Sequence, residues 1–176
     1  MARFLHTADW QLGKAPHFLS DEARARFSAA RVDVIGRIGE LATQQHCDFV
    51  VVCGDVFESN SIDRQILLRA LEQMGSVGGL RFYLLPGNHD PLDASSIFES
   101  PRFRDHCPDN VTVLDGATPL EAADGIELIA APWPNKRPRS DSWPTPAGGW
   151  SRPTRCEWSP ATARWTPCGP SRGVRS

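Results

Sequence analysis

Three observations predict an α/β fold built on a mostly parallel sheet. Short apolar runs alternate with stretches of helical period from residue 1 to about residue 135. Phe49-Val50-Val51-Val52-Cys53 is apolar throughout, as expected of a strand buried on both faces. Three polar blocks, Asp9-Trp10-Gln11-Leu12-Gly13, Gly54-Asp55-Val56-Phe57-Glu58 and Gly87-Asn88-His89-Asp90, each follow such a run. In sheets of this class ligands gather beyond the carboxyl ends of the strands, so residues far apart in sequence converge there.

The elements follow in order. Arg3 to Thr7 reads as a short first strand. Ser20 can cap a helix running to about Gln45, with Phe27, Val34, Ile35, Ile38, Leu41 and Ala42 near the 3.6-residue period. Phe49 to Cys53 is the second strand. Ser61 to Met74 predicts a second helix, with Ile66, Leu67, Ala70, Leu71 and Met74 on one side and Gly75, Gly78 and Gly79 ending it. Phe82-Tyr83-Leu84-Leu85 is the third strand, turned by Pro86-Gly87, and Val111 to Leu114 and Ile126 to Ala131 are two more.

A chain of 176 residues fits one domain with a sizeable core. The net charge of −2 leaves a nucleic-acid partner open, because a local basic strip can sit within a neutral total. No segment has the charged start and apolar run of a secretory signal, and no apolar stretch approaches the roughly 20 residues of a membrane span. Cys47, Cys53, Cys107, Cys156 and Cys168 are odd in number and form no CxxC pair. They read as reduced thiols of a cytoplasmic protein.

In this order and spacing the three blocks read as the front half of a two-metal phosphoesterase site. Two ions roughly 3.5–4 Å apart can generate a hydroxide, hold a phosphate and neutralise transition-state charge. Asp55, which follows the buried strand, suits the bridge between ions. Asp9 can hold one ion and Asn88, through its amide oxygen, the other. His89 would face the leaving group as general acid. Asp90 could hydrogen-bond His89 and fix its tautomer. Mixed oxygen and nitrogen donors suit Mn, Mg, Zn or Fe.

These words resemble the first three motifs of the calcineurin-like metallophosphoesterases. Within that superfamily, Leu5-His6-Thr7-Ala8-Asp9-Trp10-Gln11-Leu12-Gly13-Lys14, Gly54-Asp55-Val56-Phe57-Glu58-Ser59-Asn60 and Ala131-Pro132-Trp133 are most similar to SbcD-type DNA repair exonucleases. The resemblance covers residues 1 to about 140. It implies an α/β/β/α sandwich, here incomplete at the C-terminus, with a binuclear and usually Mn-dependent centre. It further implies 3′–5′ exonuclease and endonuclease action on DNA, and an SbcC-like ATPase as partner. Alternative readings are a metallophosphoesterase acting on a small phosphodiester or phosphoprotein, and a non-catalytic product that docks to the ATPase or is simply degraded.

Two departures bear on activity. The family usually has His where Gln11 stands, and an amide oxygen is a weaker, neutral metal ligand. The family also supplies later Gly-His and Gly-His-x-His motifs, whereas no His follows His106. Weak metal binding and little or no DNA cleavage are therefore expected of these 176 residues. His6 could orient a ligand near the first strand end, while His17, His46 and His106 read as surface or core residues. Arg24, Arg26, Arg31 and Arg37 read as a solvated helix face, with a DNA contact as the second reading.

From about residue 137 the composition changes. Residues 137–176 hold seven Pro, seven Arg and four Trp, no Leu, Ile, Phe or Met, and one Val. No packed layer can be built from this, so residues 1–136 are expected to form the domain and 137–176 a disordered tail. A basic arm that binds nucleic acid is one reading of the tail. A shifted reading frame fits its composition better. Back-translated with G or C in third positions, Asp141 to Pro146 can be read in the neighbouring frame as Leu-Val-Ala-Asp-Ala. Pro153 to Thr166 then reads as an apolar run ending in Gly-His. High-accuracy sequencing of the gene around codon 141 tests this hypothesis, and an intact frame with no His-containing alternative downstream would sink it.

Overall fold

The computed structural model describes residues 2–137 except Ala117, together with the backbone of Trp158–Ser159 and Arg164–Trp165. Its centre is a sheet of four parallel strands in chain order: β1 (Phe4–Thr7), β2 (Phe49–Cys53), β3 (Arg81–Leu85) and β4 (Val111–Val113). The register runs Phe4 opposite Phe49, Phe49 opposite Arg81 and Phe82 opposite Val111. Two long helices, α1 (Asp21–Gln44) and α2 (Arg64–Gly75), make the crossovers. A 3₁₀ turn (Ile97–Glu99) and a short helix α3 (Pro101–Arg104) precede β4.

Alternation along the strands separates two apolar clusters. Val50, Val52, Phe82 and Leu84 pack with Val32, Ile35, Leu67, Leu71 and Met74 of the helices. Phe49, Val51 and Tyr83 face the other way and pack against Leu114, Ala122 and Ala130. That second face is covered by an antiparallel hairpin of β5 (Leu120–Ala123) and β6 (Ile126–Leu128). Helices, parallel sheet and antiparallel strands are thus stacked in the order expected of the sandwich. Among the described residues no helix lies outside the hairpin.

Local chemistry places the boundaries. Ser20 caps α1 by accepting from Ala23 N, and Asp21 and Glu22 put negative charge on its first turn. The second helix begins later than the sequence suggests. Asp63 accepts from Gln65 N at 2.8 Å and Ile66 N at 3.4 Å, so helical backbone starts at Arg64 rather than Ser61. The expected strand from Ile126 to Ala131 ends at Leu128 and lies outside the parallel sheet. Its cause is Asp124-Gly125, with Gly125 at φ 69°, a two-residue hairpin turn that joins it to β5.

Among the described residues Cys47, Cys53 and Cys107 are free, and no helix is long and apolar enough to cross a membrane. The expectations of disorder and of a shifted frame for the tail fall outside the described residues. The exception is a short antiparallel pair, β7 (Trp158–Ser159) and β8 (Arg164–Trp165), for which the sequence carries no periodic signal.

Candidate metal centre

The loops after β1, β2 and β3 converge at the carboxyl end of the sheet, and backbone hydrogen bonds continue between them past the strand ends. Asp9 N donates to Gly54 O (3.1 Å), Gln11 N to Asp55 O (2.8 Å) and Leu12 N to Val56 O (3.0 Å). Glu58 N then donates to Leu12 O (2.9 Å), beside an isolated parallel bridge between Leu12 and Phe57. Trp10, Leu12, Val56 and Phe57 are buried and anchor these loops in the core. This burial accounts for Trp10 and Leu12 in the first block: they hold the loop that carries the polar residues.

Among the described residues four non-glycine positions have positive φ. Three belong to the site: Asp9 (54°), Gln11 (43°) and Asp55 (52°). Left-handed backbone at a side-chain-bearing residue costs of order 1 kcal/mol, and such strain concentrates at functional sites. The fourth, His46, follows the C-terminus of α1, where this conformation is common.

The second and third loops meet through Gly54 and Gly87. A Cβ on Gly87 would collide with both the backbone N and Oδ1 of Asp55, while Gly54 has φ 84° and faces Gly87 Cα. His89 N donates to Asp55 Oδ1 at 3.0 Å, which ties the His89 loop to the buried Asp55 carboxylate. The segment Ala131-Pro132-Trp133 closes the arrangement from behind. Leu92 N donates to Trp133 O (2.8 Å) and Trp133 N to Pro86 O (3.2 Å), so this segment clamps both ends of the loop that holds His89.

Asp90 departs from expectation. Its carboxylate is fully buried and accepts from Phe57 N (2.9 Å, Oδ2) and Gly87 N (2.8 Å, Oδ1). It does not orient His89. In this tight loop successive side chains diverge, and Asp90 turns inward to satisfy two buried amides that would otherwise lack acceptors. Burial, and secondarily the nearby Asp55 charge, raise its pKa to about 6 against the pull of those amides.

The partner of His89 is Glu58, a residue of the second block to which sequence position alone assigns no role. His89 Nδ1 lies 3.1 Å from the Glu58 carbonyl oxygen and 3.7 Å from its carboxylate Oε1. A carbonyl only accepts, so the neutral ring carries its proton on Nδ1 and leaves Nε2 for chemistry. Glu58 Oε2 is buried without a hydrogen-bond partner. The residue stands three positions after Asp55, but only the fold shows which side chains meet.

Arg31 also departs from expectation. It is half-buried, donates from Nε (3.1 Å) and Nη2 (2.8 Å) to Trp10 O, and lies 5.1 Å from the Phe27 ring centroid. It thus fixes the carbonyl between the strained Asp9 and Gln11. Arg24 and Arg26 pair on the helix surface with Asp21 and Glu22, and Arg37 is exposed. His6 is exposed on β1, and His17, His46 and His106 are exposed. Cys53 precedes Gly54, and burial pushes its thiol up, away from the thiolate form.

The four ligands expected from the sequence, Asp9, Gln11, Asp55 and Asn88, lie on these loops and offer two carboxylates and two amides, oxygen donors of the kind hard divalent ions take. Among the described residues no group of three or more His, Cys, Asp or Glu side chains is placed to hold a metal. Half of this donor set is amide, so a centre here draws on Gln11 and Asn88 as well as on the acids. Asp55 Oδ1 already accepts one hydrogen bond from His89 N, so Oδ2 is the less engaged of its two oxygens. Strained, side-chain-bearing positions at Asp9, Gln11 and Asp55 fit ligands held for a purpose other than loop stability.

Comparison with known proteins agrees with this arrangement. A family model described as calcineurin-like phosphoesterase matches residues 2–159. The chain is 29% identical over 133 residues to the SbcD subunit of the SbcCD nuclease of Bacillus subtilis (strain 168), covering 74% of this chain and 28% of that protein. It is 32% identical over 93 residues to the SbcD subunit of the same nuclease from Rhodobacter capsulatus, covering 51% and 22%. With the DNA double-strand break repair protein Mre11 of Saccharolobus solfataricus it shares 25% identity over 92 residues, covering 51% and 23%. The chain thus spans 22% to 28% of the length of these relatives. With the family match over most of its length, and the three loops gathered at one sheet edge, the chain belongs to the calcineurin-like phosphoesterase family.

Proposed function

We propose that this chain carries the front half of a metal-dependent phosphodiesterase site that acts on DNA in the manner of an SbcD-type 3′–5′ exonuclease in repair and recombination. The observation that carries the reading is the convergence of the loops that bear Asp9, Gln11, Asp55 and Asn88, with a histidine whose Nδ1 is already committed. Asp9, Gln11, Asp55 and Asn88 would supply part of the ligand set for two divalent ions, Mn before Mg, Zn or Fe, without filling both shells by themselves. When bound, such ions activate water and neutralise charge on the phosphate.

The protein's own part is orientation and proton transfer. As general acid the ring must carry a second proton, on Nε2. The imidazolium of His89 gives that proton to the leaving oxygen while Glu58 O holds Nδ1–H, and the ring returns to its neutral Nδ1–H form. The bond from His89 N to Asp55 Oδ1 sets the distance between the acid and the metal ligands. Asp90 contributes by fixing the loop rather than by touching substrate. The relatives named as D subunits of an SbcCD nuclease support an SbcC-like partner subunit, which on this reading is the ATPase.

The test sets cleavage of linear duplex DNA ends against cleavage of bis(p-nitrophenyl) phosphate by the purified chain in excess Mn²⁺. Expected is slow cleavage, abolished by EDTA, that favours DNA. Preference for the chromogenic diester would move the reading to a small-molecule phosphodiesterase. Failure to cut either substrate above the EDTA control would mean a non-catalytic product.

A further inference from the structure

Gln11, Leu12, Gly13 and Lys14 form a turn closed by Lys14 N donating to Gln11 O at 3.1 Å, with Gly13 at φ 93° in its third position. The turn folds Lys14 back over Gln11, and Lys14 Nζ donates to Gln11 Oε1 at 2.8 Å. Gln11 has one amide oxygen, and it is the atom offered to a metal. We infer that the Lys14 ammonium and a divalent ion exclude one another on Gln11 Oε1, so that Lys14 is a tethered cation that sets the metal affinity of this site. The inference rests on the metal-site reading above and deepens it.

The chemistry favours exclusion. An ammonium hydrogen-bonded to an oxygen covers its lone pairs and opposes a second cation there. Were Lys14 to stay in place, its charge would lie about 4 Å from the ion, and even in a water-like dielectric that repulsion is worth about tenfold or more in affinity. With a neutral imidazole in place of Gln11 the ring nitrogen would compete strongly for the ion. The amide oxygen, a weak neutral ligand, leaves the contest near balance. An ion that wins the oxygen frees Lys14, which then stands at the mouth of the site as a donor to a phosphate oxygen.

The measurement is Mn²⁺ affinity, read as the loss of the free-ion electron paramagnetic resonance signal, on the chain and on Lys14→Ala, Gln11→Ala, the double variant and Asp55→Ala. Lys14 is exposed, so its substitution leaves the core intact. Expected is about tenfold tighter binding for Lys14→Ala. With Gln11 already removed, the same substitution should gain no more than about twofold, a non-additivity that isolates the pair from general charge. Equal gains in both backgrounds, or no gain, would overturn the inference while leaving the metal site standing. Unchanged affinity in Asp55→Ala would place the ion elsewhere and remove both readings together.

Discussion

Gly87→Ala is expected to destabilise the chain by about 3 kcal/mol, toward the upper end of what overpacking costs. The added methyl meets the backbone N and the carboxylate of Asp55, and neither can swing away as the end of a flexible side chain could. Asp55 is itself held. Its carbonyl accepts from Gln11 N, and its Oδ1 accepts from His89 N. Relief of the clash must separate the β2 and β3 loops, which breaks the link between His89 and the metal ligands. Chemical denaturation with a far-ultraviolet signal gives the stability change, and a loss under about 1 kcal/mol would show that the loops are looser than described.

The second large effect is at Asp90. Its removal in Asp90→Ala leaves Phe57 N and Gly87 N buried without acceptors, at about 1–3 kcal/mol for each orphaned group. A total loss of about 4 kcal/mol is expected, and Asp90→Asn, which keeps one acceptor oxygen, should cost clearly less. A pH signature accompanies it in metal-free buffer. The folded chain holds the Asp90 proton up to about pH 6, against the ordinary value of 3.8. Between those limits the folded state binds more protons than the unfolded state, so stability falls as pH rises from about 4 through about 6. Asp90→Asn should remove that decline. A wild-type chain whose stability is flat across this window would refute the assignment.

The parallel sheet was legible because its strands carry their own marks: Phe49 to Cys53 is apolar throughout, and Ser20 announces the helix that follows β1. The hairpin was half-legible, since the apolar run from Ile126 draws the eye past Asp124-Gly125, the turn that pairs it with β5. In the site, positions were easier to read than partnerships. Asp9, Gln11, Asp55 and Asn88 stand on the converging loops, as strand-end residues should. Which side chain faces His89 depended on loop backbone. Adjacency suggested Asp90, but the turn sent it inward and brought Glu58, thirty-one residues earlier in the chain, to the ring. Arg31 was misread for a related reason: helical period shows which face a residue shares, not that a loop carbonyl lies within reach of its guanidinium.

Strand order that repeats chain order also has a consequence in time. Each strand of the sheet pairs with the one made just before it, so a chain leaving the ribosome can add strands one by one without waiting for a distant segment. The Asp9 and Asp55 loops can join once β2 has emerged. The His89 loop follows with β3, but its clamp does not. Pro86 and Leu92 are tied by Trp133, which is translated more than forty residues after Leu92. Asn88 and the acid beside it are therefore the last parts of the site to be clamped, after the Asp9, Gln11 and Asp55 loops have joined.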